Sequence, residues 1–265
     1  MVPIKGICVS VQFGDLLSLT LHKNARHLTD CLVVTHPDDK ETQAVVSRVP
    51  SARCFCTDVF YRGGARFNKG WGMELGLDVL GRDGWIAIWD ADTLFPDAIV
   101  LPPGGLDPET LYTAPRRILD DPRQYREGMD WKRLPLSRDM SFAGYFQLFS
   151  ASASVLAGGG YFYDPTFQHA GGCDGYFESR WPANRKVRLP FEVLHLGPRD
   201  ANWFGRTTAR VDGEPVPEAE ERAKTMLAFK RQKGWLPGQP LAERIPDHVE
   251  VPGHQPSGYQ LRGRK

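Results

Sequence analysis

Residues 85–89, WIAIW, run without a break into Asp90-Ala91-Asp92, and no other stretch of the chain narrows the fold as far. A short, unbroken apolar run bounded by polar residues reads as a strand covered on both faces, the kind found inside a mainly parallel sheet. Its end places two carboxylates at i and i+2, where a continuing strand would point both the same way. That is the carboxyl edge, where open α/β sheets bind ligands. Such a pair can share one divalent cation or its waters. The competing reading is a pair of turn or helix-capping aspartates. Two unpaired charges against a buried strand would be costly, which favours metal and phosphate work.

The rest of the first half alternates strand and helix signals. Ile7, Val9 and Val11 predict a first strand, and Asp15 is placed to cap a helix carrying Leu16, Leu17, Leu19 and Leu21. Residues 32–35 (LVVT) predict a second buried strand, residues 39–48 a helix and residues 53–57 a third strand. Residues 69–80 fit both periods; their length and their place between two strands favour helix. The pattern predicts an α/β fold with a mainly parallel central sheet. Residues 102–140, with Pro102-Pro103-Gly104-Gly105 and many charges, read as a surface excursion. An apolar pattern resumes at residues 142–150, followed by a Gly- and aromatic-rich region at 158–181. Residues 217–233 predict a helix with an acidic start and a basic end, complementing its dipole. Five prolines and four glycines in the last 31 residues predict an extended or wrapping tail. The expected organisation is one domain over residues 1–206, then a helix and tail over 207–265.

Thirty-three Lys and Arg against thirty-two Asp and Glu leave a formal charge of +1. That balance removes the usual electrostatic warrant for a nucleic-acid or membrane-surface binder. No stretch approaches the roughly 20 apolar residues of a membrane span, and the N-terminus is too short and polar for a signal peptide. Of the five cysteines, Cys54 and Cys56 flank Phe55 on one strand with both thiols on one face. No second pair follows at zinc spacing, so they read as buried structural thiols in a reducing cytoplasm. A cytoplasmic protein is expected.

Three further clusters carry candidate chemistry. His36-Pro37-Asp38-Asp39 resembles the AHPDDE motif of zinc-dependent sugar N-deacetylases, in which His36 and Asp39 would be ligands; here Lys40 replaces the following acid. The favoured alternative is a helix cap, with Asp38 in the capping position and Glu41 three residues on. In residues 171–181 (GGCDGYFESRW), glycines let a ligand approach Asp174 while aromatics offer faces for a sugar ring. His195, at a predicted strand end before Gly197-Pro198, is placed to complete a site with Asp92, since manganese accepts imidazole beside carboxylates.

Six segments together resemble a GT-A fold nucleotide-sugar glycosyltransferase of the family-2-like kind. They are residues 32–42 (LVVTHPDDKET), 58–70 (DVFYRGGARFNKG), 84–96 (GWIAIWDADTLFP), 144–149 (GYFQLF), 171–181 and 195–206 (HLGPRDANWFGR). The resemblance implies a Rossmann-like GT-A domain that transfers a sugar from a nucleotide-sugar, with UDP the favoured base, to an acceptor hydroxyl. It implies Mn²⁺ or Mg²⁺ held by Asp90, Asp92 and His195, with Asp92 the direct ligand. Thr35, Asp38, Asn68, Lys69 and Asp90 would meet the donor; Gln147, Arg180, Trp181 and Trp203 would meet the acceptor. Asp174 matches the catalytic acid, although Cys173 stands where the family carries Glu, so the base lies between Asp174 and Glu178. Inversion of configuration is implied by the motifs alone. The acceptor is a glycan or another hydroxyl, with a nucleic acid disfavoured by the charge balance. A zinc deacetylase, or a GT-A-like domain that binds a nucleotide or glycan without turnover, are the alternatives.

Overall fold

The computed structural model describes residues 2–137, 142–158 and 160–233; the predicted tail from residue 235 lies outside them. In chain order the strands are β1 (Ile4–Val9), β2 (Asp30–Thr35), β3 (Ala52–Cys56), β4 (Trp85–Asp90), β5 (Thr93–Leu94), β6 (Leu111–Thr113), β7 (Arg116–Leu119), β8 (Phe146–Ser150), β9 (Lys186–Arg188) and β10 (Val193–Leu196). The helices are α1 (Gly14–Ala25), α2 (Lys40–Ser47), α3 (Lys69–Leu80), α4 (Cys173–Glu178) and α5 (Ala219–Gln232). Seven strands form one sheet in the order β3-β2-β1-β4-β8-β6-β9. The four strands β3, β2, β1 and β4 run parallel, β8 is antiparallel to both neighbours, and β6 and β9 are parallel. This is an α/β fold with a mostly parallel central sheet.

The run at residues 85–89 behaves as its composition demands. Ala87 and Trp89 enter one core layer with Leu16, Leu17 and Val33, while Ile86 and Ile88 enter the opposite layer with Leu77, Phe149 and Phe177. Both faces of β4 are therefore dry, and each fully buried Ile or Leu contributes roughly 1.5–3 kcal/mol. Helix α3 lies close on the sheet because a side chain at Gly76 would strike Val34 and Ile7, within 2.6 Å of each. Glycine inside a helix costs about 1 kcal/mol; here the close approach to β1 and β2 offsets it.

Two local expectations are corrected. Strand β1 stops at Val9, short of Val11. Residues 102–140 do more than skirt the surface: β6 joins the main sheet, and β7 joins a second sheet of order β5-β10-β7. Leu111, Ala114 and Leu119 are buried there, which the charges flanking them concealed. Among the described residues, no helix is long and apolar enough to cross a membrane.

Candidate active site

Helix α3 opens at the carboxyl edge of the sheet, and Asn68 caps it by accepting a hydrogen bond from the Trp71 N–H at 2.9 Å. The Asn68 amide also donates to the Pro165 carbonyl at 2.6 Å. Expected to touch the donor, Asn68 is buried and both ends of its side chain are engaged. Its capping sets Lys69 as the first helical residue. A cation there opposes the helix dipole, so something stronger must hold it. The Lys69 Nζ donates to Asp90 Oδ1 at 2.7 Å and to both oxygens of Asp174 at 3.2 Å. Burial by itself would lower the Lys69 pKa, but Asp174 and Asp90 outweigh burial and hold the ammonium well above its ordinary value.

Asp174 stands in the first turn of α4, and a Cβ on Gly144 would lie 2.5 Å from its carboxylate oxygens. Only glycine at 144 leaves the carboxylate its place. Burial raises the Asp174 pKa above the usual carboxylate value, Asp90 pushes the same way, and Lys69 opposes both. The side chains of Asp174 and Asp90 are 14% and 34% exposed, so this cluster meets solvent through its two acids. One cation and two carboxylates leave it with one formal negative charge.

Asp92 does not follow Asp90. The strand ends at Asp90, and residues 91–92 turn, so the i, i+2 alternation no longer holds. Asp92 instead comes to β10, where the Leu196 N–H donates to the Asp92 carbonyl at 2.8 Å and His195 pairs in register with Thr93. His195 Nε2 lies 3.6 Å from Asp92 Oδ1. Among the described residues no group of three His, Cys, Asp or Glu is gathered around one metal position.

The Asp92–His195 pair nevertheless fits a metal. Asp92 Oδ1 is buried without a hydrogen-bond partner, an arrangement that is expensive unless something binds it. His195 Nδ1 lies 2.9 Å from the Gly197 carbonyl, which can only accept, so Nδ1 donates there and Nε2 is the ring nitrogen on the Asp92 side. Burial, reinforced by Asp90, raises the Asp92 pKa against the pull of His195.

Other expected residues turn out to be occupied. Glu178 accepts from the Phe142 N–H at 2.8 Å and from Lys186 Nζ at 3.1 Å, and does not reach the Lys69 cluster. Gln147 is buried behind Asp174, donating to the Phe142 carbonyl and accepting from the Tyr163 hydroxyl. Trp181 is 2% exposed and packs edge-on against Phe177. Trp203 is buried against Gly171, with Lys230 Nζ 3.7 Å from its ring centroid. Neither tryptophan presents a face for a sugar. Arg180 is half-buried and its Nη2 lacks a partner.

At the end of β2, Thr35 is buried and donates to Asp39 at 3.1 Å. Asp39, rather than Asp38, caps α2: it accepts from the Thr42 N–H at 3.1 Å, the Thr42 hydroxyl at 2.7 Å and the Gln12 N–H at 2.6 Å. Both Asp39 oxygens are thus engaged in holding the start of α2, the helix-cap reading of this motif rather than the zinc one. Asp38 is exposed, with His36 Nδ1 3.6 Å away.

Sequence reasoning missed two features. Lys69, expected near a diphosphate, bridges two acids from distant segments; a lysine in the first turn of a largely apolar helix is the sequence signal for it. Asp15 is no helix cap but forms a buried ion pair with Arg206, its second contact 2.9 Å long, and accepts from the Val211 N–H at 2.8 Å. Burial raises the Asp15 pKa, but Arg206 more than reverses that and the net shift is downward. No sequence signal joined those two residues.

No protein-family model and no curated protein matches the chain. Solved structures do. GalNAc-T7, crystallised with UDP, GalNAc and Mn²⁺, superposes at a TM-score of 0.51 and 12% identity, over 92% of this chain and 54% of that one. The chain thus spans about half the length of that structure. The bifunctional glycosyltransferase WbbM matches at a TM-score of 0.29 and 12% identity, over 43% of this chain and 23% of that one. A 4-diphosphocytidyl-2C-methyl-D-erythritol synthase matches at 0.36 and 12%, over 86% and 99%. Of these three, GalNAc-T7 reaches the level at which the folds correspond. The protein has a GT-A-like α/β fold.

Proposed function

We propose that the protein is a metal-dependent glycosyltransferase that moves a sugar from a nucleotide-sugar, a UDP-sugar being favoured, to an acceptor hydroxyl with inversion at C1. The observation that carries this reading is the buried Lys69 joining Asp174 to Asp90 at the carboxyl edge of a GT-A-like sheet. The UDP, GalNAc and Mn²⁺ of GalNAc-T7 suggest the donor and metal class.

Asp174 acts as general base. Its oxygens take the proton from the acceptor hydroxyl as that oxygen attacks C1 and the nucleoside diphosphate leaves. The raised pKa makes Asp174 a stronger base than an exposed carboxylate, while Lys69 keeps it ionised and aimed. Asp92 and His195 would hold Mn²⁺ or Mg²⁺, whose charge offsets that building on the leaving diphosphate. Asp90 stays with Lys69 and faces the donor side. Arg180 is the remaining acceptor candidate.

Turnover of UDP-sugars with Mn²⁺, screened over acceptors by mass spectrometry, tests the reading. Asp174→Asn keeps the size of the side chain but removes its proton affinity, and transfer is expected to fall roughly 10²-fold or more with donor binding little changed. An active Asp174→Asn protein would move the base elsewhere and favour retention. Stabilisation by UDP and Mn²⁺ with no turnover on any acceptor would leave a binding domain.

A further inference from the structure

Strand β3 is the terminal strand of the main sheet. Its inner side pairs Cys54 with Val33 and Cys56 with Thr35, and among the described residues no strand covers its outer side. Residues i and i+2 of a strand share a face, which sets the two Sγ atoms 3.9 Å apart. Both thiols are free and exposed, whereas Cys8, Cys31 and Cys173 are buried. The expectation that Cys54 and Cys56 are core thiols is thus overturned: an edge strand leaves that face uncovered.

We propose that Cys54 and Cys56 form a two-thiol chelate for a soft, thiophilic cation of the Zn²⁺ or Cd²⁺ kind. Two thiolates on a tetrahedral ion, each about 2.3 Å from it, lie about 3.8 Å apart. The pair therefore holds that bite before any ion arrives, and the strand supplies the rigidity. On binding, two S–H bonds break, two sulfur–metal bonds form, and two protons pass to solvent; nothing is oxidised or reduced. Among the described residues no third His, Cys, Asp or Glu completes a cluster, so water or a dissolved ligand takes the remaining positions. This is an open chelate on the surface, not a closed zinc centre. Its soft ligands also separate it from Asp92 and His195, whose oxygen and nitrogen suit harder ions. The inference is independent of the glycosyltransferase reading.

Cd²⁺ tests it, because a thiolate-to-metal charge-transfer band in the ultraviolet reports sulfur ligands alone. The reduced full-length protein, held in excess Mn²⁺ to occupy hard sites, is titrated with Cd²⁺. One equivalent should develop the band, and a small dithiol should remove it. Cys54→Ser and Cys56→Ser, made separately and checked for native circular dichroism, should each weaken binding at least tenfold. The absence of a band in the native protein overturns the proposal. So does an undiminished band in either folded variant, which would assign the ion to the other cysteines.

Discussion

The Lys69 ammonium lies 3.2 Å from both carboxylate oxygens of Asp174, a residue 105 positions further along the chain. A second contact to Asp90, at 2.7 Å, makes Lys69 the link between the end of β4 and the start of α4.

Replacing Lys69 by methionine keeps most of the side-chain volume but leaves two acids facing each other with no cation. Removing one partner of a buried pair typically costs about 3–5 kcal/mol. Since Asp90 keeps contact with water, the lower part of that range is expected for Lys69→Met, read as a fall in the urea midpoint. An unchanged midpoint would mean that solvent already neutralises the cluster.

Gly144→Ala probes the seating of Asp174. The added Cβ would stand 2.5 Å from the carboxylate oxygens, so the carboxylate must move and loosen its hold on Lys69. Sugar transfer is expected to fall by roughly tenfold or more, since an ångström of misplacement can cost up to about 10²-fold. Asp174→Asn with Gly144→Ala should be no worse than Asp174→Asn alone; additive losses would place the glycine's effect elsewhere.

Asp92 and His195 are expected to carry the response to metal. In a thermal melt with UDP, Mn²⁺ should raise the Tm of the native protein, and EDTA should abolish the rise. Asp92→Asn and His195→Ala should each lose most of it, while Glu178→Gln keeps it. A full Mn²⁺ response in Asp92→Asn would refute the assignment.

Glu74 gives a pH signature unrelated to catalysis. Burial, only partly opposed by Arg82 at 2.7 Å, pushes its carboxyl up to about 7. The native state therefore holds a proton that the unfolded chain releases near pH 4.5, and stability is lost as pH rises from about 4.5 toward 7. The loss is at most roughly 3 kcal/mol from this group. Glu74→Gln, whose carbonyl can still accept from the Tyr163 N–H, should flatten that fall in denaturant melts at pH 5 and pH 7.5.

Much of the architecture was legible. Helix α3 spans the same residues, 69–80, that their length and setting suggested, and the run at 85–89 is a strand buried on both faces. Local signals carried both, because a continuous apolar run has few other homes. The site was legible as a set of residue types but not as partnerships. Asp90 and Asp92 read as a pair at the strand end, and the turn beyond it gives each a neighbour of its own, Lys69 for Asp90 and His195 for Asp92. Trp181, Gln147 and Asn68 have the chemistry of ligand contacts, and packing has spent all three on the interior.

The order of apolar and polar residues alone thus determined an α/β chain with a parallel sheet and acids at its carboxyl edge, since periodicity and burial on both faces are local properties. Which acid meets Lys69, which meets His195, and which thiols stay exposed were decided only by the tertiary structure. Those pairings join segments up to 105 residues apart, and their energies depend on a few ångströms of separation and on exclusion of water, neither of which is written in any stretch of sequence.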